Sequence, residues 1–177
     1  TAGVFRLVTE VDGSPVEAVI QVSEVDDIAI PRVGEPLPAV ATPTVTDARG
    51  VDPICTQEPA CPLHEVDLAE ALGAGPVAVL VSTPAFCQTA ICGPVLDLFV
   101  AAAEAHPDIT FVHVEVYASA TEVEEQGLQA PLAPAVDEWG LPFEPCLFLV
   151  DGDGTLAERL DVIYDATELD DGLARLV

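Results

Sequence analysis

An α/β domain built on a mixed sheet of about four strands, with helices on both faces, is the fold class this sequence predicts. Three observations carry it. Largely apolar runs of strand length occur at Pro76–Val81 (PVAVLV), Ile109–Val116 (ITFVHVEV) and Cys146–Val150 (CLFLV), as strands covered on both faces require. Between the first two, Pro94 to His106 reads as a helix: Val95, Phe99 and Ala102 lie along one stripe, Leu96, Val100 and Ala103 along the next. After the third, Asp151-Gly152-Asp153-Gly154 is a hairpin turn signal and Thr155 to Val162 a fourth strand.

The other elements follow in chain order. Residues 1–30 read as a β-hairpin extension, with alternation from Val4 to Thr9, a turn at Asp12-Gly13-Ser14-Pro15 and a second strand from Val16 to Val25. A hairpin alone is marginal in water, so it must pack on the main domain or be the remnant of a further β domain. Residues 31–63 form a Pro-rich arm. Its prolines at 31, 36, 38, 43, 53, 59 and 62 forbid regular helix and favour an extended segment lying over a partner surface. The main domain spans 64–177. It opens with a short helix, His64 to Leu72, stopped by Gly73. Residues 118–141 carry a helical patch ending near Trp139. A closing helix runs from Thr167 to Val177, with Thr167 and Asp170 placed as a weak capping box.

Composition narrows the function. The chain has 177 residues, half of them apolar, so a core is affordable. It has 31 acidic residues against 5 basic ones, a net charge of −26. That excludes nucleic-acid binding through a basic patch and docking on an anionic membrane surface. Lys, Met and Asn are absent. A GC-rich genome accounts for this, and so does a salt-adapted acidic exterior. With no initiator Met, a trimmed chain is expected, and any signal peptide or membrane anchor would lie outside it.

Five cysteines remain: the close pairs Cys55/Cys61 and Cys87/Cys92, and the odd Cys146. Close pairs in such a chain point to an oxidising compartment outside the cytoplasmic membrane. The arm has little secondary structure to hold it, so a structural Cys55–Cys61 disulfide is expected. With His64 the spacing C-x5-C-x2-H also offers three zinc ligands, but no fourth is evident. His113 lies inside a buried strand and reads as a core histidine, Trp139 as a packing anchor, and Cys146 as a buried thiol.

The chemistry concentrates after the first strand. Pro76–Val81 runs into Ser82-Thr83-Pro84-Ala85-Phe86-Cys87, then Gln88-Thr89-Ala90-Ile91-Cys92-Gly93-Pro94, then the helix. Thiols at a strand-to-helix junction meet unpaired N–H groups and the positive end of the helix dipole, which favour the thiolate that attacks disulfides. On these features, together with Glu144-Pro145 opening a strand that ends in Asp-Gly, the segment from Pro76 to Val177 resembles the thioredoxin fold. From Pro53 to Val162 it is similar to extracytoplasmic thioredoxin-like proteins with a Pro-rich arm. The resemblance implies a three-layer α/β/α sandwich, a cis Glu144–Pro145 bond facing the thiols, and protein thiols or disulfides as partners. Thiol–disulfide exchange through Cys87, Cys92 and Pro145, with no cofactor, would follow.

The sequence departs from that family in three ways. Four residues separate the cysteines rather than two, so Cys87 must lie on the loop before the helix. Cys92-Gly93-Pro94-Val95 also offers a register in which Cys92 is the nucleophile; attack is assigned to Cys87 and resolution to Cys92. The preceding strand carries no buried acid, and no Lys, Arg or His lies between Ser82 and His106, which predicts a sluggish thiol. Glu144 beside the pair would disfavour a thiolate. The competing readings are a binding module with a static disulfide and copper handling of the Sco type. The latter lacks its late-loop histidine. A peroxiredoxin is disfavoured because Pro-x3-Thr-x2-Cys is absent around Cys87.

Overall fold

The computed structural model describes residues 2–24 and 27–176. Val25 and Val177, the expected ends of the second strand and the closing helix, lie outside the described residues. The chain divides into two compact units, Thr1–Ile30 and Pro31–Val177.

In the first unit, β1 (Gly3–Val11) pairs antiparallel with β2 (Ser14–Val22). Asp12 and Gly13 both take positive φ, 51° and 76°, the two-residue turn whose twist matches a hairpin. The register sets Phe5 opposite Ile20, Leu7 opposite Ala18 and Thr9 opposite Val16 on one face. The other face places Arg6 and Glu17 within 3.6 Å of each other.

The second unit is built on one four-stranded sheet, because its apolar runs must be covered on both sides. Strands β3 (Val77–Val81), β4 (Thr110–Val114), β5 (Cys146–Val150) and β6 (Leu156–Asp161) lie in the order β4-β3-β5-β6. Only β3 and β4 are parallel, and the crossover between them carries the long helix. The helices are α1 (Leu68–Ala71), α2 (Cys92–Ala105), α3 (Ala120–Gln126), α4 (Pro134–Trp139) and α5 (Ala166–Leu173). On one face, Ala78, Leu80, Leu147 and Leu149 pack with Leu96 and Phe99 of α2 and Leu169 and Leu173 of α5. Phe99 stacks at a tilt on Phe111, centroids 4.9 Å apart. On the other face, Trp139 of α4 meets Phe148 edge-on at 5.4 Å, and its indole N–H donates to the Pro38 carbonyl. Each of these buried aromatics is worth about 3–5 kcal/mol against truncation to Ala.

Local chemistry corrects three sequence expectations. The first helix begins at Leu68 rather than His64, because the Asp67 side chain caps it by accepting the Ala69 N–H. Helix α2 begins at Cys92 rather than Pro94; a proline in the first turn costs nothing, since its missing N–H would have no partner there. The closing helix is capped by a reciprocal box between Asp165 and Glu168, two residues before those expected, and ends at Leu173.

The Pro-rich arm packs on its own domain. It belongs to the second unit and closes both edges of that unit's own sheet. At the β6 edge, Gly34 and Leu37 donate to the carbonyls of Leu156 and Gly154, and Leu156 donates to Glu35. At the β4 edge, the His113 N–H donates to the Leu63 carbonyl. Leu37, Val40, Val51 and Leu63 are buried. These contacts tether the arm without a staple and cover edges that would otherwise invite strand addition. The bonds Asp52–Pro53, Glu58–Pro59 and the expected Glu144–Pro145 are cis. Among the described residues, no helix is long and apolar enough to cross a membrane.

Candidate functional site

Cys87 lies on the loop between β3 and α2, and Cys92 is the first residue of α2. The N-cap residue Ile91 has no side chain able to accept a hydrogen bond. The Cys87 sulfur fills that role: it accepts the Cys92 backbone N–H at 3.4 Å. Thr89 Oγ1 lies 3.4 Å from the same sulfur. Cys87 is half-buried, whereas Cys92 is fully buried. Both are free thiols. Their sulfurs and a Glu144 carboxylate oxygen all lie within 4.8 Å of one another.

The two thiols are driven apart in acidity. Burial opposes ionisation of Cys87, but the hydrogen bonds from Cys92 and Thr89 outweigh it and bring its pKa down to about 7. Burial pushes Cys92 well up, and its hydrogen bond to Cys87 adds to the rise. No cation takes part in this split.

A buried acid is also present, though from other segments than the preceding strand. Glu144, immediately before the cis proline, has its carboxyl pushed up to about 8 by burial, then by the charges of Cys87 and Glu115. Its Oε2 is buried with no hydrogen-bond partner among the described residues. Glu115, just beyond β4, accepts from the Thr56 N–H at 2.6 Å and the Thr56 hydroxyl at 2.8 Å. The sequence reading missed Glu115. The signal was its position two residues from His113, which puts both polar groups on one face of an apolar strand.

Pro145 is buried, and its carbonyl accepts the Val162 N–H. Cys146 turns away from the pair: its thiol donates to Asp161 Oδ1 at 3.2 Å, and burial raises its pKa. Two cavities flank the loop. One, about 250 Å³, is lined by Gln88, Tyr117, Leu132, Phe143 and Glu144. The other, about 690 Å³, lies between the arm and the loop, with Thr56, Pro59, Ala85 and Phe86 in its wall.

Cys55 and Cys61 stand in a separate cluster. They are free thiols, not the disulfide expected from the arm's composition, and two imidazoles converge on them. Cys61 Sγ lies 3.3 Å from His64 Nε2 and 3.5 Å from His113 Nδ1. Cys55 Sγ lies 3.8 Å from His113 Nδ1 and accepts the Cys61 N–H at 3.4 Å. The two imidazole nitrogens are 3.3 Å apart. All four residues are buried, and their ligand atoms lie within 4.8 Å of one another. The Cys61 hydrogen bond pulls the Cys55 thiol well down, and the same bond, read from its other end, pushes Cys61 up. His113 is buried in the core, as expected, and its Nδ1 faces these two sulfurs.

No family model matches this sequence, and no curated protein does. Solved structures do. MTB DsbF, in mixed oxidized and reduced forms, is 19% identical with a TM-score of 0.53, covering 80% of this chain and 99% of that one. A Chlorobium tepidum protein assigned as thiol:disulfide interchange protein DsbE is 14% identical with a TM-score of 0.58, covering 82% and 98%. A second Chlorobium tepidum structure, a thiol:disulfide interchange protein of the thioredoxin family, is 14% identical with a TM-score of 0.50, covering 82% and 97%. The mixed sheet, the thiol-bearing helix start and these likenesses agree: the fold of this chain is thioredoxin-like.

Proposed function

We propose that this chain is a thiol–disulfide oxidoreductase acting on protein thiols and disulfides outside the cytoplasm, with Cys87 as the attacking sulfur and Cys92 as the resolving one. One observation carries the reading: Cys87 is half-exposed and its sulfur accepts the N–H at the start of α2, while Cys92 is fully buried behind it. That is the division of labour exchange requires. The Cys87 thiolate attacks a substrate disulfide, forming a mixed disulfide and expelling one substrate thiolate, which takes up a proton. The Cys92 thiol then loses its proton and attacks Cys87. The Cys87–Cys92 bond forms, the second substrate thiolate leaves, and the substrate is reduced by two electrons. The reverse sequence oxidises a dithiol.

Glu144 is placed for the proton that Cys92 must lose. Its carboxyl lies within 4.8 Å of both sulfurs and is pushed up to about 8, which makes its ionised form a stronger base than an ordinary carboxylate. The cavity lined by Gln88, Phe143 and Glu144 gives a substrate side chain a place beside the exposed sulfur. The structural neighbours named for thiol:disulfide interchange support the chemistry. Insulin reduction coupled to dithiothreitol tests the assignment. Cys87→Ser abolishes turnover. Cys92→Ser leaves a mixed disulfide on Cys87, seen as an added mass. Activity that survives Cys87→Ser would refute it.

A further inference from the structure

The cluster of Cys55, Cys61, His64 and His113 plays no part in the exchange chemistry, and its geometry is that of a ligand set. A tetrahedral zinc bound by two thiolates at about 2.3 Å and two imidazoles at about 2.05 Å separates its ligand atoms by fixed amounts. The N–N edge is about 3.3 Å, each S–N edge about 3.6 Å and the S–S edge about 3.8 Å. The imidazole nitrogens here stand 3.3 Å apart, and the measured S–N contacts are 3.3, 3.5 and 3.8 Å. Four of the six edges thus lie near those of that tetrahedron, and the other two are within 4.8 Å. Of the four residues, two come from the arm, one is His64 just after it and one comes from the central sheet.

The surrounding hydrogen bonds fit the same role. His113 Nε2 lies 3.2 Å from the Ser82 carbonyl, which can only accept, so the ring proton belongs on Nε2. The Ser82 hydroxyl lies 3.0 Å from the same nitrogen. Nδ1 therefore presents a lone pair to the cluster, as a ligand backed by a second contact does. His64 Nδ1 has no hydrogen-bond partner among the described residues, so the polar contacts of that ring are those of Nε2, which faces Cys61 and His113. The Cys61 N–H donates to the Cys55 sulfur, a bond that strengthens on a thiolate. An ion would also cancel charge: two thiolates and one Zn²⁺ sum to zero in a buried site. Cys55 lines the cavity beside Thr56 and Gln57, which gives an ion its way in.

We infer that Cys55, Cys61, His64 and His113 bind one Zn²⁺ as a structural site that clamps the Pro-rich arm to strand β4. Binding holds both sulfurs as thiolates, and any proton still on them is released to solvent. The site stands apart from the exchange pair and does not depend on that reading.

The test uses the full chain, reduced, titrated with Zn²⁺ and with Co²⁺ as a spectroscopic probe. Native mass spectrometry should count about one metal per chain. Co²⁺ should give the intense visible bands of a tetrahedral site and a thiolate-to-cobalt charge-transfer band. The Cys87→Ser/Cys92→Ser double variant should keep both signals. Cys61→Ser and His113→Ala should weaken binding on the order of 100-fold or more. Ser82→Ala, which removes no ligand, should weaken it about 10-fold and so tests the site even if the ligand variants misfold. Three results would overturn the inference: a reduced, folded chain that binds no metal; binding lost in the double variant but kept in Cys61→Ser; or a Cys55–Cys61 disulfide that forms in air even with Zn²⁺ present.

Discussion

The two cysteine pairs differ by one residue in spacing and by nearly everything in surroundings. Cys87 and Cys92 sit on a loop and a helix start, one sulfur half-exposed, with a carboxyl close by. Cys55 and Cys61 are both buried, with two imidazole nitrogens among their nearest polar atoms. An exposed thiol with an N–H donor and a proton acceptor is equipped to break and remake a bond. A buried pair facing two nitrogen lone pairs is equipped to hold something still. Spacing alone could not separate these roles, because what surrounds a sulfur arrives from segments up to 58 positions away, as His113 beside Cys55 shows.

The largest expected effect sharpens this contrast directly. Cys87→Ser should remove all insulin-reducing activity, while Cys146→Ser should leave most of it, since that thiol is committed to Asp161. Parallel coupled assays at matched protein concentration decide it.

Next is Glu144→Gln. If Glu144 takes the Cys92 proton, resolution of the mixed disulfide should slow about 10-fold or more, with attack by Cys87 little changed. Rapid-quench trapping of the mixed disulfide separates the two steps. The same variant carries a stability signature. The Glu144 carboxyl stands at about 8 in the folded chain against an ordinary 4.5. Its contribution is therefore fully present below the ordinary value and is lost as pH rises through about 8. Denaturation midpoints of the native chain should fall across that window, and Glu144→Gln should flatten the fall.

A smaller effect concerns pH and reactivity. Iodoacetamide should modify Cys87 with a midpoint near pH 7, thiolate accumulating above it, while Cys92 stays unmodified far into the alkaline range. Peptide mapping after pulsed alkylation reads both. The smallest is Thr89→Val, which removes one hydrogen bond from the Cys87 sulfur and should raise that midpoint by about half a pH unit.

Much of the sheet was legible in the sequence because its strands are continuous apolar runs of strand length, and the cis bond at Glu144–Pro145 because the resemblance placed it. The exchange loop was legible because a strand-to-helix junction fixes where Cys87 and Cys92 must lie. The rest depended on long-range placement. His113 looked like a core residue because periodicity reports burial and not what the buried nitrogen faces; its neighbours Cys55 and Cys61 are more than 50 positions away. A carboxylate was sought in β3, while Glu144 and Glu115 bring theirs to the site from β5's approach and β4's end. The arm's proline content was read as a lack of tethers, yet proline leaves the neighbouring N–H and C=O groups free to pair with sheet edges, as Gly34, Glu35 and Leu37 do.

The most direct measurement is the redox equilibrium of the Cys87–Cys92 pair, set by defined dithiothreitol ratios and read by alkylation and mass spectrometry of the two peptides. A reversible pair should titrate as one two-electron couple at a potential above about −300 mV, with Cys87 the first sulfur alkylated as the bond opens. A bond that stays closed to potentials well below about −300 mV would make it a fixed staple, and the account of this chain as an exchange protein would be wrong.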